Sequence, residues 1–413
     1  MMRGVIVIIA AVVMQACLGG IYAWSAFVPP LHTTFGYSVF QTQLPFGTCI
    51  CTFTIAAIWT GRLQDRYGPR PLALASAAFL AAGYLLAWLS GHGGLAAAVG
   101  AVPGAAWLEG QGFVRPGNFM LLWGGAGVLG GLGIACGYVV PIATAVKWFP
   151  RHKGLVCGLA VAGYGAGAIA LSGVVTALLR QGWNVLEIFR VVGLVYAAIV
   201  AVAGMLMFLP PGSRQLKYEA FPRRPLLRQG RFWLLVLGIF CSTFPGLMII
   251  GNLKSIGEAM GVGSAVATLA ISTLAAGNAL GRVSWGVIYD RLGGRRAMRL
   301  SMAAVLLSVA AVLLVGQWGA GFLVAAALAG FAYGGCFAIY PARVAQWWGP
   351  HFLGSVYPLI LLAHGLAAPF GPSLGGLSKD LTGSFATALV AAGSLTLIGM
   401  IVVALLERRS AGT

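Results

Sequence analysis

Twelve apolar runs follow one another along this chain, each close to the roughly 20 residues a helix needs to cross a hydrocarbon core, with short polar connections between them. They fall at 5–30, 39–60, 72–90, 119–146, 154–178, 187–209, 232–253, 263–288, 297–315, 320–345, 354–377 and 385–406. Backbone N–H and C=O groups inside a bilayer must be satisfied within the segment, so such runs specify helices. Only 8% of the 413 residues are charged, against about 25% in a soluble protein. The expectation is an all-α, multi-pass membrane protein with twelve transmembrane helices.

The formal net charge of +18 points away from nucleic acid once its distribution is read. Arg3, Arg62, Arg66, Arg70, Lys147, Arg151, Lys153, the cluster from Arg214 to Arg231, Arg291, Arg295, Arg296, Arg299, Arg408 and Arg409 all fall on one side of the alternating connections. The other side receives Arg115, Arg180, Arg190, Lys254 and Lys379. The positive-inside bias then puts both termini and the 210–231 connection in the cytoplasm, which makes the plasma membrane the expected location. The basic face also attracts anionic membrane lipids. The first run continues past Cys17 to Pro29-Pro30, too long for the apolar core of a secretory signal and without a small-residue cleavage site. The cysteines lie in apolar segments and read as small buried hydrophobes.

Two internal patterns repeat. Gly61, Asp65, Arg66, Gly68 and Arg70 recur as Gly286, Asp290, Arg291, Gly293 and Arg295, displaced by 225 positions. Pro141, Trp148, Pro150 and Gly154 recur as Pro341, Trp348, Pro350 and Gly354, displaced by 200. The mismatch implies an insertion in the first half, which falls in the Gly- and Pro-broken outer segment 91–117. Same-orientation repeats joined by a basic loop are a known transporter plan. The reading is a six-helix bundle at 1–209, a cytoplasmic linker at 210–231 and a second, pseudo-symmetric six-helix bundle at 232–413.

Arg282 is the one charge in the run from Ala265 to Ile288. Eight residues separate it from Asp290, or about 12 Å of helix, close to the midplane of a core about 30 Å thick. Arginine at that depth costs roughly 2.5–3.5 kcal/mol even on lenient scales, so it serves a function or pins two helices. Asp65, Asp290, Glu219 and Glu407 sort to the cytoplasmic side and Glu109, Glu187, Glu258 and Asp380 to the outer side. A substrate carboxylate would relieve the cost of a buried cation, and guanidinium offers it two parallel hydrogen bonds. Asn278 is one turn earlier on the same face, able to hold the guanidinium or to reach a substrate hydroxyl. His364 lies ten residues past Gly354, again about 15 Å deep, and its partner in the first repeat is Tyr164. Tyr22 and Tyr333 are further candidate donors.

Several patterns carry no chemistry. Gly125-x-Gly127-x-x-Gly130 matches a dinucleotide fingerprint but has no strand before it. Ser38-x-x-Gln41 is a capping box. No nucleophile–base pair, metal-ligand spacing or cofactor motif stands out, so neither an enzyme nor a cofactor is expected.

The loop from Gly61 to Arg70 and its second copy resemble the signature loop of the major facilitator superfamily. That resemblance spans the chain and implies the major facilitator fold, with alternating access between the bundles. It also implies a cytoplasmic gate built from Asp65, Arg66 and Arg70 with Asp290, Arg291 and Arg295. Gly19 to Phe27, followed by Pro30-Leu31, looks like the first helix of the oxalate/formate antiporter family. That family is similar to the proton-linked monocarboxylate transporters, which also carry an arginine in helix 8. Oxalate exchange resembles a match to two cations, an arginine in helix 8 and a lysine in helix 11; His364 stands at the latter position here. The monocarboxylate transporters add a lysine in helix 1 and an aspartate one turn before the arginine. This chain has Asn278 at that second place and no lysine in its first run. The proton then belongs either to His364, whose unperturbed pKa is about 6.5, or to the substrate itself. The expected activity is symport of a small, lactate-like monocarboxylate with a proton by a monomer. Oxalate/formate-type exchange and a non-transporting membrane sensor are the alternatives.

Overall fold

The computed structural model describes residues 2–94, 116–149, 153–210, 221–349 and 352–409. Among them all regular structure is helical, and twelve helices are long and apolar enough to cross a membrane, one for each expected run. Large aliphatic side chains such as Leu314, Leu381 and Val283 stand exposed on the outside of these helices. Hydrocarbon is as apolar as leucine, so these residues gain nothing by turning inward. The spans are numbered 1–12 in chain order. Most of the 91–117 insertion, residues 95–115, lies outside the described residues, as do 211–220 of the linker.

Several span ends depart from the expected runs, those of spans 1 and 7 among them. Span 1 is not one helix to residue 30. Its α-helix covers Met2–Gly19, tightens to a 3-10 segment at Gly20–Ala26 and resumes as Val28–Phe35. Pro29 and Pro30 cannot donate to the preceding turn, and the Trp24 indole is drawn off to the Thr42 carbonyl, 2.8 Å away. Span 7 runs further than expected, over Gly230–Ala259. Lys254, assigned above to an outer connection, therefore lies within a span, 7% exposed and 4.0 Å from Glu258 one turn on. A polar residue in the last two turns of a helix lowers hydropathy without ending the helix, which is why the run looked shorter.

Other local features follow from the residues. Ser38 and Gln41 form the reciprocal capping box that opens span 2, at 3.1 and 2.9 Å. Gly125 and Gly127 sit inside span 4, in a π-helical turn over Trp123–Leu129. Spans 2 and 8 both end on a glycine of the signature loop, Gly68 at φ 86° and Gly293 at φ 77°. A side chain is strained there, so this glycine recurs in both repeats for a backbone reason. Six cysteines, Cys49 and Cys51 among them, carry free thiols.

The chain divides into two compact units, Met1–Leu216 and Lys217–Thr413. In the second, spans 8 (Ser264–Leu292) and 10 (Gly319–Trp348) pack through paired small-residue motifs. A Cβ on Gly277 or Gly281 would fall on the carbonyls of Ala327 or Phe331, and one on Gly330 or Gly334 on those of Leu274 or Asn278. Contact that close is how helices gain dispersion energy without a hydrophobic drive. In the first unit Gly19, Gly163 and Gly167 bring spans 1 and 5 together in the same way.

Candidate functional site

The pairing of spans 8 and 10 sets the site of the second unit. With Gly334 against the Asn278 backbone, the next turn of span 10 delivers Phe337 to Arg282. The Arg282 guanidinium stands over the Phe337 ring at 4.9 Å from its centroid, and its Nε donates to Asn278 Oδ1 at 3.0 Å. That bond fixes the plane of the fork. Of the two roles open to Asn278, the structure shows it holding the guanidinium.

Span 11 (Leu353–Thr382) adds His364 against Phe337, edge to face at 5.3 Å. Tyr333 closes the cluster, 5.2 Å from Phe337 and 6.1 Å from His364. His364 and Tyr333 are each 1% exposed and Asn278 4%. The His364 Nδ1 is buried with no hydrogen-bond partner among the described residues. A half-buried, oriented guanidinium on an aromatic wall can present a flat pair of donors to a carboxylate. The ring beneath it adds about 0.5–2 kcal/mol of cation–π attraction.

Arg282, Asn278, His364 and Tyr333 therefore come together, while Tyr22 and Tyr164 belong to the first unit. There Tyr164 meets Tyr22 at 5.3 Å and Tyr138 at 5.7 Å, and Tyr138 meets Phe53 at 5.2 Å. The Gln15 amide donates to the Tyr138 carbonyl at 3.1 Å. The repeat displacements map His364 onto Tyr164 and Asn278 onto Phe53. Both units thus build a side-chain chain across three helices, spans 2, 4 and 5 in one and 8, 10 and 11 in the other. The first is neutral and aromatic; the second carries the cation. Phe337, Tyr138 and Phe53 were missed from sequence, where an aromatic in an apolar run looks the same whether it faces lipid or a ligand. The repeat displacement pointed to Phe53, the counterpart of Asn278, and to neither of the others, whose positions map onto Gly137 and Ala338.

The signature loops place their charges at span ends. Arg66 lies over Tyr67 at 5.2 Å and Arg70 over Phe208 at 4.7 Å. The side chain of Asp65 lies outside the described residues. In the second loop Asp290, Arg291 and Arg295 are exposed. Beside it, Tyr289 Oη and Arg343 Nη1 both donate to Gln346 Oε1 at 2.8 Å, and Arg343 stacks on Trp347 at 4.3 Å. Gly294 leaves room for Arg343: a Cβ there would sit 2.8 Å from its Nη1. Among the described residues no cluster of His, Cys, Asp and Glu could hold a metal ion.

The sequence matches the family description Major Facilitator Superfamily over residues 7–316 and again over 235–413. It is 24% identical over 379 residues to the oxalate:formate antiporter of Oxalobacter formigenes, covering 89% of this chain and 83% of that one. It is 27% identical over 316 residues to monocarboxylate transporter 11 of Mus musculus, covering 68% of this chain and 66% of that one. In fold it is similar to a partially occluded, inward-open structure of the xylose transporter XylE from E. coli, with TM-score 0.69, 15% identity and 97% of each chain covered. Twelve spans, a repeated signature loop and these matches agree: the chain belongs to the major facilitator superfamily and has its transporter fold.

Proposed function

We propose that this protein carries a small monocarboxylate, of the size of lactate, together with a proton. The observation that carries the reading is the Arg282 fork, held by Asn278 on the Phe337 ring, which His364 also touches. In this reading Arg282 grips the carboxylate through two parallel hydrogen bonds, and Tyr22, Tyr164 and Tyr333 are the candidate donors to the rest of the substrate. The protein works as a monomer in the plasma membrane with both termini cytoplasmic, as the basic loops favour. Asp65 and Asp290, with Arg66, Arg70, Arg291 and Arg295, form the gate that differs between the two access states.

Oxalate/formate-type exchange is the second reading, favoured by the antiporter relative and by Lys254, a buried cation of the same unit as Arg282. Depth argues against a two-ended grip. Lys254 is five residues from the outer end of span 7, about 8 Å, and Arg282 eighteen residues from the outer end of span 8, about 27 Å. A separation near 20 Å along the membrane normal does not fit a two-carbon dianion.

The test is flux into liposomes with labelled lactate, formate and oxalate across an imposed pH gradient. Lactate uptake driven uphill by acid outside supports symport; movement only against preloaded oxalate would replace it with exchange, and no flux would leave the sensor. Asp65→Asn in this assay should slow cycling while leaving substrate affinity within about twofold.

His364 supplies the next prediction. Among the described residues it is the buried imidazole against the Arg282 wall, and only histidine has an unperturbed pKa near working pH. His364→Gln should still bind monocarboxylate but fail to accumulate it when the outside is acidic. Unchanged uphill uptake with the same proton stoichiometry would shift the proton to the substrate carboxyl group.

A further inference from the structure

A groove of about 750 Å³ opens between helices of the second unit, at the end where its basic loops lie. Its walls come from spans 7, 11 and 12. Trp233, Val236, Phe240, Leu362 and Leu366 are among the apolar side chains, and the charged lining group is Arg223 at one end. Leu359, Leu362, Ala363 and Leu366 lie on one face of span 11, spaced three and four apart. His364, buried on the opposite side, belongs to the Arg282 cluster. The groove is therefore separate from the substrate site, and nearly without polar groups to orient a small acid.

The short helix Arg223–Leu227 holds the charged end in place. Leu226 is fully buried, the Leu227 carbonyl accepts from Trp233 Nε1 at 2.8 Å, and the Phe221 amide donates to Ser355 Oγ at 3.1 Å. This anchoring leaves Arg223, Arg224 and Arg228 exposed in one cluster, at the depth where span 7 begins. An apolar slot rising into the hydrocarbon from a fixed arginine cluster has the two-part chemistry of an anionic lipid: acyl chain, then phosphate. A zwitterionic lipid would fill the slot equally well, but its headgroup carries its own cation to the arginines.

We propose that this groove binds one anionic phospholipid, with an acyl chain between Val236, Phe240, Leu362 and Leu366 and the phosphate at Arg223. The test is native mass spectrometry of the full-length protein released from detergent with equimolar phosphatidylglycerol and phosphatidylcholine. Wild type should retain one phosphatidylglycerol at least fivefold over phosphatidylcholine. The Arg223→Gln, Arg224→Gln double variant should lose that preference, and Val236→Trp, which fills the slot, should lose the bound lipid of either kind. Unaltered melting temperature checks that each variant is folded. A lipid preference that survives the double variant, or equal retention of both lipids by wild type, overturns the proposal. So does displacement of the bound phosphatidylglycerol by glycerol phosphate at equal concentration, since the acyl slot would then play no part.

Discussion

Replacing Arg282 with lysine is expected to weaken monocarboxylate binding by roughly 10- to 150-fold, although the charge is kept. Lysine offers a point ammonium on a flexible stem, not a planar fork. One of two charge-assisted hydrogen bonds is lost, and each is worth about 1.5–3 kcal/mol, which converts to that range of affinity. The orientation is lost too, because the Nε that donates to Asn278 Oδ1 at 3.0 Å has no counterpart in lysine. The measurement is equilibrium binding of labelled lactate to purified protein, with Arg282→Gln as a second variant that removes the charge outright. The melting temperature should hardly move while affinity falls, because Arg282 is only half-buried. Near-normal lactate affinity in Arg282→Lys would remove the guanidinium from the binding site and leave it as a helix pin.

The largest effect on the folded state is expected at Gly330. A Cβ there falls on the Leu274 carbonyl group and 2.9 Å from the Asn278 amide nitrogen, all backbone of span 8. No rotamer change can make room, so Gly330→Val must push spans 8 and 10 apart. Overpacking of this kind costs about 1–3 kcal/mol, and more where the neighbour is rigid. It also lifts Asn278 and Arg282 away from Phe337, so substrate binding should fall together with stability. Gly286→Ala is the control on the same span. A Cβ there meets nothing within 4 Å, and helix propensity favours alanine by up to about 1 kcal/mol. Thermal unfolding in detergent, with and without lactate, reads both effects. If Gly330→Val melts and binds like the unmodified chain, the paired glycine motif does not position the site.

What could be read from residues alone was what the bilayer enforces one segment at a time. Hydropathy decides whether a run inserts and charge bias decides its direction, so twelve spans were legible without knowing any neighbour. Exact displacement of the signature loop and of Pro141, Trp148, Pro150 and Gly154 showed the duplication, since repeated backbone requirements such as a left-handed glycine leave repeated letters. Lys254 was misplaced because a cation near a helix end reads the same inside the helix as beyond it. Lateral packing left no such mark. Lipid is as good a solvent for Phe337 or Phe53 as a protein interior, so apolar character does not say which helix an aromatic side chain meets. Only the tertiary structure, through carbonyl-to-glycine contacts between spans 8 and 10, decided that Phe337 lies under Arg282. Span 11 set His364 edge to face on that ring, while a chain of Phe53, Tyr138 and Tyr164 formed in the first unit with no charge at all.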